Sequence, residues 1–519
     1  MPGYCGEGAV LKKGLFLKNA VILTATGLLL RAVGMLFRIY IAGRIGDEGM
    51  GLYQLIFTLY NLMVTLASAG TSVAVTRMTA DWLARGDKSP RALCARLLWY
   101  ALATGCGAGV LQFLLAGPAS RLWLGDARAA LSLQLLAPSL PAIAVGAALR
   151  GYFMARRNVS SPSRSQLFEQ AVRIAVVALL IDRALPMGVA YGCAAVVIGN
   201  TVSELLSCLY LLISWRRDLR QFAGKPERES DRLPSGYAGI VAPITATRGI
   251  GSLLVTVENV LVPGRLAVFC GSRSTALAQF GQLKGMAMPV LFFPFSFLAT
   301  LSTLLLPEIA EAHSAGRQER LRALVARTIR ITAVLSVLVG GLFATFSAEL
   351  GQLLYQSQEI GFYIGVLGPL MPFLYLESMV DGILKGVGQQ LATFRYSLCD
   401  SGLRILLVLL LVPRFGMKGF LFMMLCSNLF TSLLNLHRLL WFTEMPVAWG
   451  GWVFKPLAAA LAGWVACRFV FYPLAGAALG TAARTVCGAL VMAGVYLVFL
   501  WLCGGISRED LAAFKRTKA

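Results

Sequence analysis

The chain reads as an all-α polytopic membrane protein with about fourteen transmembrane helices. Two parallel-repeat six-helix lobes around a central cavity are followed by two C-terminal helices. Three observations predict this. Of the 519 residues, 57% are hydrophobic and 14% charged, and mean hydropathy is +0.71, whereas a soluble chain carries about a quarter charged residues. Apolar runs of roughly 17–25 residues, the length that crosses a bilayer, recur throughout. Short motifs in the first half return in the second at a steady offset.

The apolar runs fall at 15–41, 50–75, 92–116, 128–151, 165–182, 188–214, 236–262, 277–305, 326–347, 360–384, 397–413, 416–442, 451–472 and 482–504. Lysines and arginines gather in alternate connections. They include Lys12, Lys13 and Lys18; Arg85, Lys88 and Arg91; Arg150, Arg156 and Arg157; Arg216, Arg217 and Lys225; Arg317, Arg320 and Arg322; and Arg508, Lys515 and Arg516. Roughly 29 basic residues lie on that side against about 10 on the other, which predicts that both termini are cytoplasmic. The even number of spans agrees, since it puts both termini on one side. A net charge of +22 placed in this way follows topology, so no nucleic-acid partner is expected.

Eleven cysteines are scattered singly, with no C-x-x-C pair and no His/Cys cluster, so neither a disulfide framework nor a metal site is expected. The first run is too long for a signal peptide and no small-residue cleavage site follows it, so it is expected to remain as the first membrane helix. The longest polar stretch, 216–235, reads as a cytoplasmic linker. It separates an N-terminal lobe, 1–215, from a C-terminal lobe, 236–442. Residues 443–519 hold the two appended helices and a cytoplasmic tail. No segment offers an extramembrane catalytic domain, so no enzyme and no cofactor are expected.

The repeat has an offset near 230 residues. Pro138-x-x-Pro141 with Leu149-Arg150-Gly151 returns as Pro369-x-x-Pro372 with Leu384-Lys385-Gly386. Glu169-x-x-x-Arg173-Ile174 returns as Asp400-x-x-x-Arg404-Ile405, and Pro186-x5-Gly192 as Pro413-x5-Gly419. Six spans per copy start both copies on the same side, which makes the repeat parallel and puts the expected site between lobes.

Charges within spans are the functional candidates, because an ionised side chain at bilayer depth survives only against a wet cavity or a partner. Arg31 lies about 24 Å of helix into the first span and Arg248 about 18 Å into the seventh. Each opens an Arg-x-x-Gly motif, Arg31-x-x-Gly34 and Arg248-x-x-Gly251. Two guanidiniums of this kind hold a phosphate or pyrophosphate through bidentate hydrogen bonds; the alternative is that each ties helix carbonyls together. Arg38 shares the face of Arg31, one heptad on, and is shallow enough to snorkel. Arg173 and Arg404 are further substrate candidates, although Glu169 and Asp400 precede them at i,i+4 and could neutralise them within one helix. Glu258 with Asn259, and Glu204, are candidate proton or cation sites. Glu377 and Asp381, with Lys385, form a stripe that reads as a gate, a cation site or an interfacial salt-bridge ladder.

Residues 28–80, including Gly49-Met-Gly-Leu-Tyr-Gln54 and Leu66-Ala-Ser-Ala-Gly70, resemble the bacterial stage V sporulation protein B-like family. So do Gly281-Gln-Leu-Lys-Gly-Met-Ala-Met-Pro289 and Leu304-Leu-Leu-Pro307-Glu308. This is the polysaccharide-transporter branch of the multidrug/oligosaccharidyl-lipid/polysaccharide flippase superfamily and is related to lipid II flippases. The resemblance implies lobes around a V-shaped cavity, and alternating access without ATP hydrolysis. It also implies an undecaprenyl-pyrophosphate-linked sugar or peptidoglycan precursor as substrate, for cell-wall or spore-cortex synthesis. Arg31 matches a cavity arginine of the lipid II flippases, while Arg38 is displaced by one residue from their second. In those relatives the last two helices line a lipid groove. The bacterial cytoplasmic membrane, membrane lipids and cell-wall synthesis enzymes follow as the setting and partners, with coupling to Na+, H+ or the membrane potential. One alternative is a cation-coupled multidrug exporter of the same superfamily; a second is a membrane-embedded glycosyltransferase. The arginines weigh against the first, and the sparse external carboxylates against the second.

Overall fold

A computed structural model describes residues 6–84, 90–222, 237–474 and 480–505. Among these residues there are helices and turns and no strand. Most of the linker and the C-terminal tail expected from sequence lie outside the described residues, as does the side chain of each of Lys12, Lys13 and Lys18.

The chain divides into two compact units, residues 1–281 and 282–519. In the first, α1 (Gly6–Ser68), α2 (Thr71–Ala84), α3 (Arg91–Pro118), α4 (Ala129–Leu136) and α5 (Ser139–Ala155) are followed by α6 (Ser160–Ala184), α7 (Val189–Leu219), α8 (Tyr237–Cys270) and α9 (Arg273–Phe280). The second contains α10 (Met288–Phe292), α11 (Phe295–Ser314), α12 (Gln318–Tyr355), α13 (Gln358–Leu367) and α14 (Met371–Gly386). It continues through α15 (Gln390–Thr443), α16 (Lys455–Val465), α17 (Tyr472–Leu474) and α18 (Thr481–Leu502). The seventh expected span, α8, therefore falls in the first unit.

Nine helices among the described residues are long and apolar enough to cross a membrane, or ten when the bent pair α4 and α5 is taken as one span. Two of these segments are double spans. The run Thr24–Ala84 has 61 residues and α15 has 54, so at 1.5 Å per residue each far exceeds the ~30 Å hydrocarbon thickness. Each is interrupted by a glycine. Gly46 has φ 69° and Gly416 has φ 57°, a region that costs a side chain about 1–2 kcal/mol. At Gly416 the chain turns back on itself, since Arg404 and Ser427 from opposite halves are hydrogen-bonded at 2.6 Å. The fifth expected span coincides with α6. The eighth is distributed over α9, a wide turn at Gly281–Ala287, α10 and α11.

Packing within a membrane gains little from water exclusion, so close approach of backbones matters more. A Cβ on Gly105 would sit 2.7 Å from Pro141 Cα, and one on Gly109 would sit 3.0 Å from Ala137 O, whereas Gly107 faces open space. This small-x-x-x-small pair seats α3 against the α4–α5 bend. In the first unit Leu97, Leu149, Tyr152 and Leu211 centre a cluster drawn from α3, α5 and α7. In the second, α16 and α18 dock on α12 through Val337, Ala459, Tyr496 and Leu500, with Tyr496 Oη donating to Val334 O at 2.7 Å.

Substituting Gly46→Ala is expected to lower the melting temperature of the detergent-solubilised protein by an amount corresponding to about 1–2 kcal/mol. Gly43→Ala, with nothing within 4 Å of the added carbon, should leave stability unchanged or raise it by up to about 1 kcal/mol. Equal effects of the two substitutions would contradict the assignment of the break to Gly46.

Candidate functional site

Arg31 lies in the first half of α1. Its side chain is exposed, and it has no hydrogen-bond or ion-pair partner among the described residues. Arg38, two turns further along, is half-buried. Arg248 is exposed on α8, where Nη1 reaches Ala69 O at 3.5 Å. That carbonyl belongs to the short break between α1 and α2. A Cβ on Gly70 would meet Val241 O at 2.7 Å, so α8 passes hard against this break, and the glycine permits it. Arg31 and Arg248 thus both belong to the first unit, with no carboxylate paired to either among the described residues.

The other two arginines have a different character. Arg173 Nη2 donates to Glu169 at 2.7 Å and lies 3.9 Å from Glu204, while its Nε reaches Ser203 Oγ at 3.4 Å. Arg404 Nε lies 3.0 Å from Asp400 and 2.6 Å from Ser427 Oγ, and that hydroxyl donates to Asp400 at 2.5 Å. Both i,i+4 pairs form, and in each a serine from the following helix segment closes a small network. Glu204 is unpaired in the sequence pattern but is brought to Arg173 by the packing of α7 on α6.

Glu258 is 4% exposed; beside it, Asn259 Nδ2 reaches Thr58 Oγ1 at 3.5 Å. In α14, Asp381 pairs with Lys385 at 2.6 Å, the ladder geometry, and Glu377 is half-buried one turn before it. Among the described residues no group of three or more His, Cys, Asp or Glu side chains is arranged to hold a metal ion.

A further cluster is invisible to sequence periodicity, because its members come from three separate segments. Arg128 Nη2 bridges Glu48 and Asp126, at 2.8 Å from each. Ser274 Oγ donates to Glu48 at 2.6 Å, and Arg273 donates to Leu124 O. The turn at 47–48, the loop at 124–128 and the start of α9 are thereby tied together. Burial opposes ionisation of Asp126, yet the Arg128 hydrogen bonds outweigh it and hold the carboxyl below its ordinary range. A carboxyl lowered on folding stabilises fully above its ordinary value of 3.8 and loses that contribution as pH falls through the folded value. The melting temperature should therefore drop between pH 5 and pH 3 in the natural chain, and drop less in Asp126→Asn. Parallel pH profiles would remove this cluster from the stability account.

An apolar groove of about 800 Å³ runs beside Arg248, lined by α8 from Tyr237 to Leu253 and by residues of α1, α2 and α3.

Comparison with known proteins places these features. Residues 16–266 match the family model described as polysaccharide biosynthesis protein, and residues 283–410 match the MatE model, so the two matches change over where the two compact units divide. The stage V sporulation protein B of Bacillus subtilis (strain 168) is 29% identical over 79% of this chain and 80% of its own length. The lipid II flippase MurJ of the same organism is 19% identical over 72% and 73%. Among solved structures, lipid II flippase MurJ in an inward closed conformation superposes with a TM-score of 0.68 at 13% identity. That match covers 92% of this chain and 98% of the other. An inward-facing multidrug resistance MATE family transporter of the MOP superfamily gives 0.58 at 14% identity, over 82% and 98%.

Proposed function

The chain belongs to the multidrug/oligosaccharidyl-lipid/polysaccharide (MOP) flippase superfamily, and from that premise we propose what this multi-pass membrane transporter carries. Its substrate is an undecaprenyl-pyrophosphate-linked oligosaccharide or peptidoglycan precursor. It moves that lipid across the bacterial cytoplasmic membrane by alternating access, with both termini on the cytoplasmic side. The relatives named a sporulation protein and a lipid II flippase support this class of cargo.

One observation carries the reading. Arg173 and Arg404 each have a carboxylate at hydrogen-bonding distance, whereas Arg31 and Arg248 are exposed and have none among the described residues. An unneutralised guanidinium at bilayer depth is costly, and a diphosphate answers it with charge and with bidentate acceptors. Arg31 and Arg248 bind the diphosphate and Arg38 contacts it at the rim. Arg173 and Arg404 orient their helices.

The membrane potential supplies a driving force. Moving one negative charge outward from a negative interior gains about 2.3 kcal/mol per 100 mV, and a diphosphate carries more than one. The buried Glu258 and the half-buried Glu204 are candidate H+ or Na+ positions that would couple an ion gradient to the same cycle. The MatE match motivates the competing reading, export of organic cations. Such cargo wants exposed carboxylates where this site presents arginines.

The test is a flipping assay in proteoliposomes with a defined undecaprenyl-pyrophosphate oligosaccharide. Arg31→Ala and Arg248→Ala should each reduce the rate roughly ten- to a hundredfold, the worth of one charged hydrogen-bonding group, with only partial rescue by lysine. Arg173→Ala should instead lower the melting temperature, because Glu169 and Glu204 lose their shared counter-charge. Unchanged flipping in both alanine variants, or efficient transport of cationic dyes, would sink the proposal.

A further inference from the structure

The groove beside Arg248 has no assigned role. Its walls are apolar: Leu62 and Leu66 of α1 face Val241, Ala246, Ile250 and Leu253 of α8. Thr104, on α3, satisfies its hydroxyl on the carbonyls of Tyr100 and Ala101 at 3.1 Å and of Ala67 at 3.3 Å. Leu66, Tyr100, Ile250 and Leu253 are 42%, 38%, 47% and 44% exposed, so the groove is open along its length. Two glycines allow the narrow approach of α8: Gly70 against Val241, and Gly249, whose added carbon would meet Leu66 at 3.3 Å. The lining residues of α8 run from Tyr237 to Leu253, about 24 Å of helix.

An open apolar hollow at bilayer depth fills with hydrocarbon, because water has too few polar partners there. Arg248 decides which hydrocarbon. Its exposed guanidinium stands one residue from Gly249 in the groove wall and reaches the carbonyl of Ala69, between the wall residues Ala67 and Thr71. A chain that ends in an anion satisfies wall and cation together; a neutral chain satisfies only the wall. We propose that this groove seats the first isoprenoid units of a polyprenyl diphosphate, with the diphosphate on Arg248. This rests on the reading of the cargo as a polyprenyl-diphosphate lipid, and it locates chain recognition in the first unit rather than on the two C-terminal helices.

The probe is a farnesyl diphosphate carrying a benzophenone at the chain end, photolysed with the full-length protein in liposomes. Adducts are expected between Val241 and Leu253, and on Leu62–Ala67 or Tyr100. Unlabelled farnesyl diphosphate should compete roughly ten times better than farnesol, which lacks the anion, and than isopentenyl diphosphate, which lacks the chain. Ala246→Trp, which fills the groove, should cut labelling about tenfold while Ala246→Ser keeps it. Arg248→Ala should erase the advantage over farnesol. The competition series uses the unaltered protein, so it decides the matter even if the tryptophan variant fails to fold. Adducts concentrated on α16 and α18, or equal competition by all three compounds, would overturn the assignment. Loss of flipping activity with groove labelling intact would count against the transport reading alone; flipping with adducts elsewhere would count against the groove alone.

Discussion

A charge at bilayer depth must be answered by something, and this chain answers its internal arginines in two ways. At Arg173 and Arg404 the counter-charge is built in one helical turn upstream, so the guanidinium is fixed before any tertiary contact forms. At Arg31 and Arg248 no built-in carboxylate is present among the described residues. Around Arg248 the backbone provides a break at 69–70, a glycine that lets α8 pass, and an apolar groove alongside. The neutralised pairs serve stability.

The repeat is chemical as well as sequential. In both units an acid and an arginine sit at i,i+4, and a serine from the following helix segment accepts from the arginine: Ser203 from Arg173, and Ser427 from Arg404 while donating to Asp400. In the first unit Glu204 also lies 3.9 Å from the arginine, and in the second Glu377 feels the charge of Arg404.

Much of this was legible in the sequence because the bilayer simplifies the code. Apolar run length marks the spans, and any arginine inside one announces itself. Thus α12 and α18 coincide with their expected runs, and the i,i+4 pairs of Arg173 and Arg404 form as the helical period requires. Features assembled from distant segments were not legible. Glu48, Arg128 and Ser274 meet from three segments with no common period, and the groove is shared by four helices, none of which carries a distinctive motif. The turn between the first two spans was foreseeable, but not which of Gly43, Gly46, Gly49 and Gly51 would adopt positive φ, since four glycines at similar spacing are equivalent until packing selects one.

The break at Gly46 also bears on how the protein enters the membrane. The half of α1 before it carries Arg31 and Arg38, and each arginine near the centre of a helix costs about 2.5–3.5 kcal/mol at the translocon. The half after it, 47–68, is charged only at Asp47 and Glu48 beside the break. Joined by a short turn, the second half can carry the first into the bilayer as a helical hairpin, so the arginine-bearing segment depends for its own insertion on its more apolar neighbour.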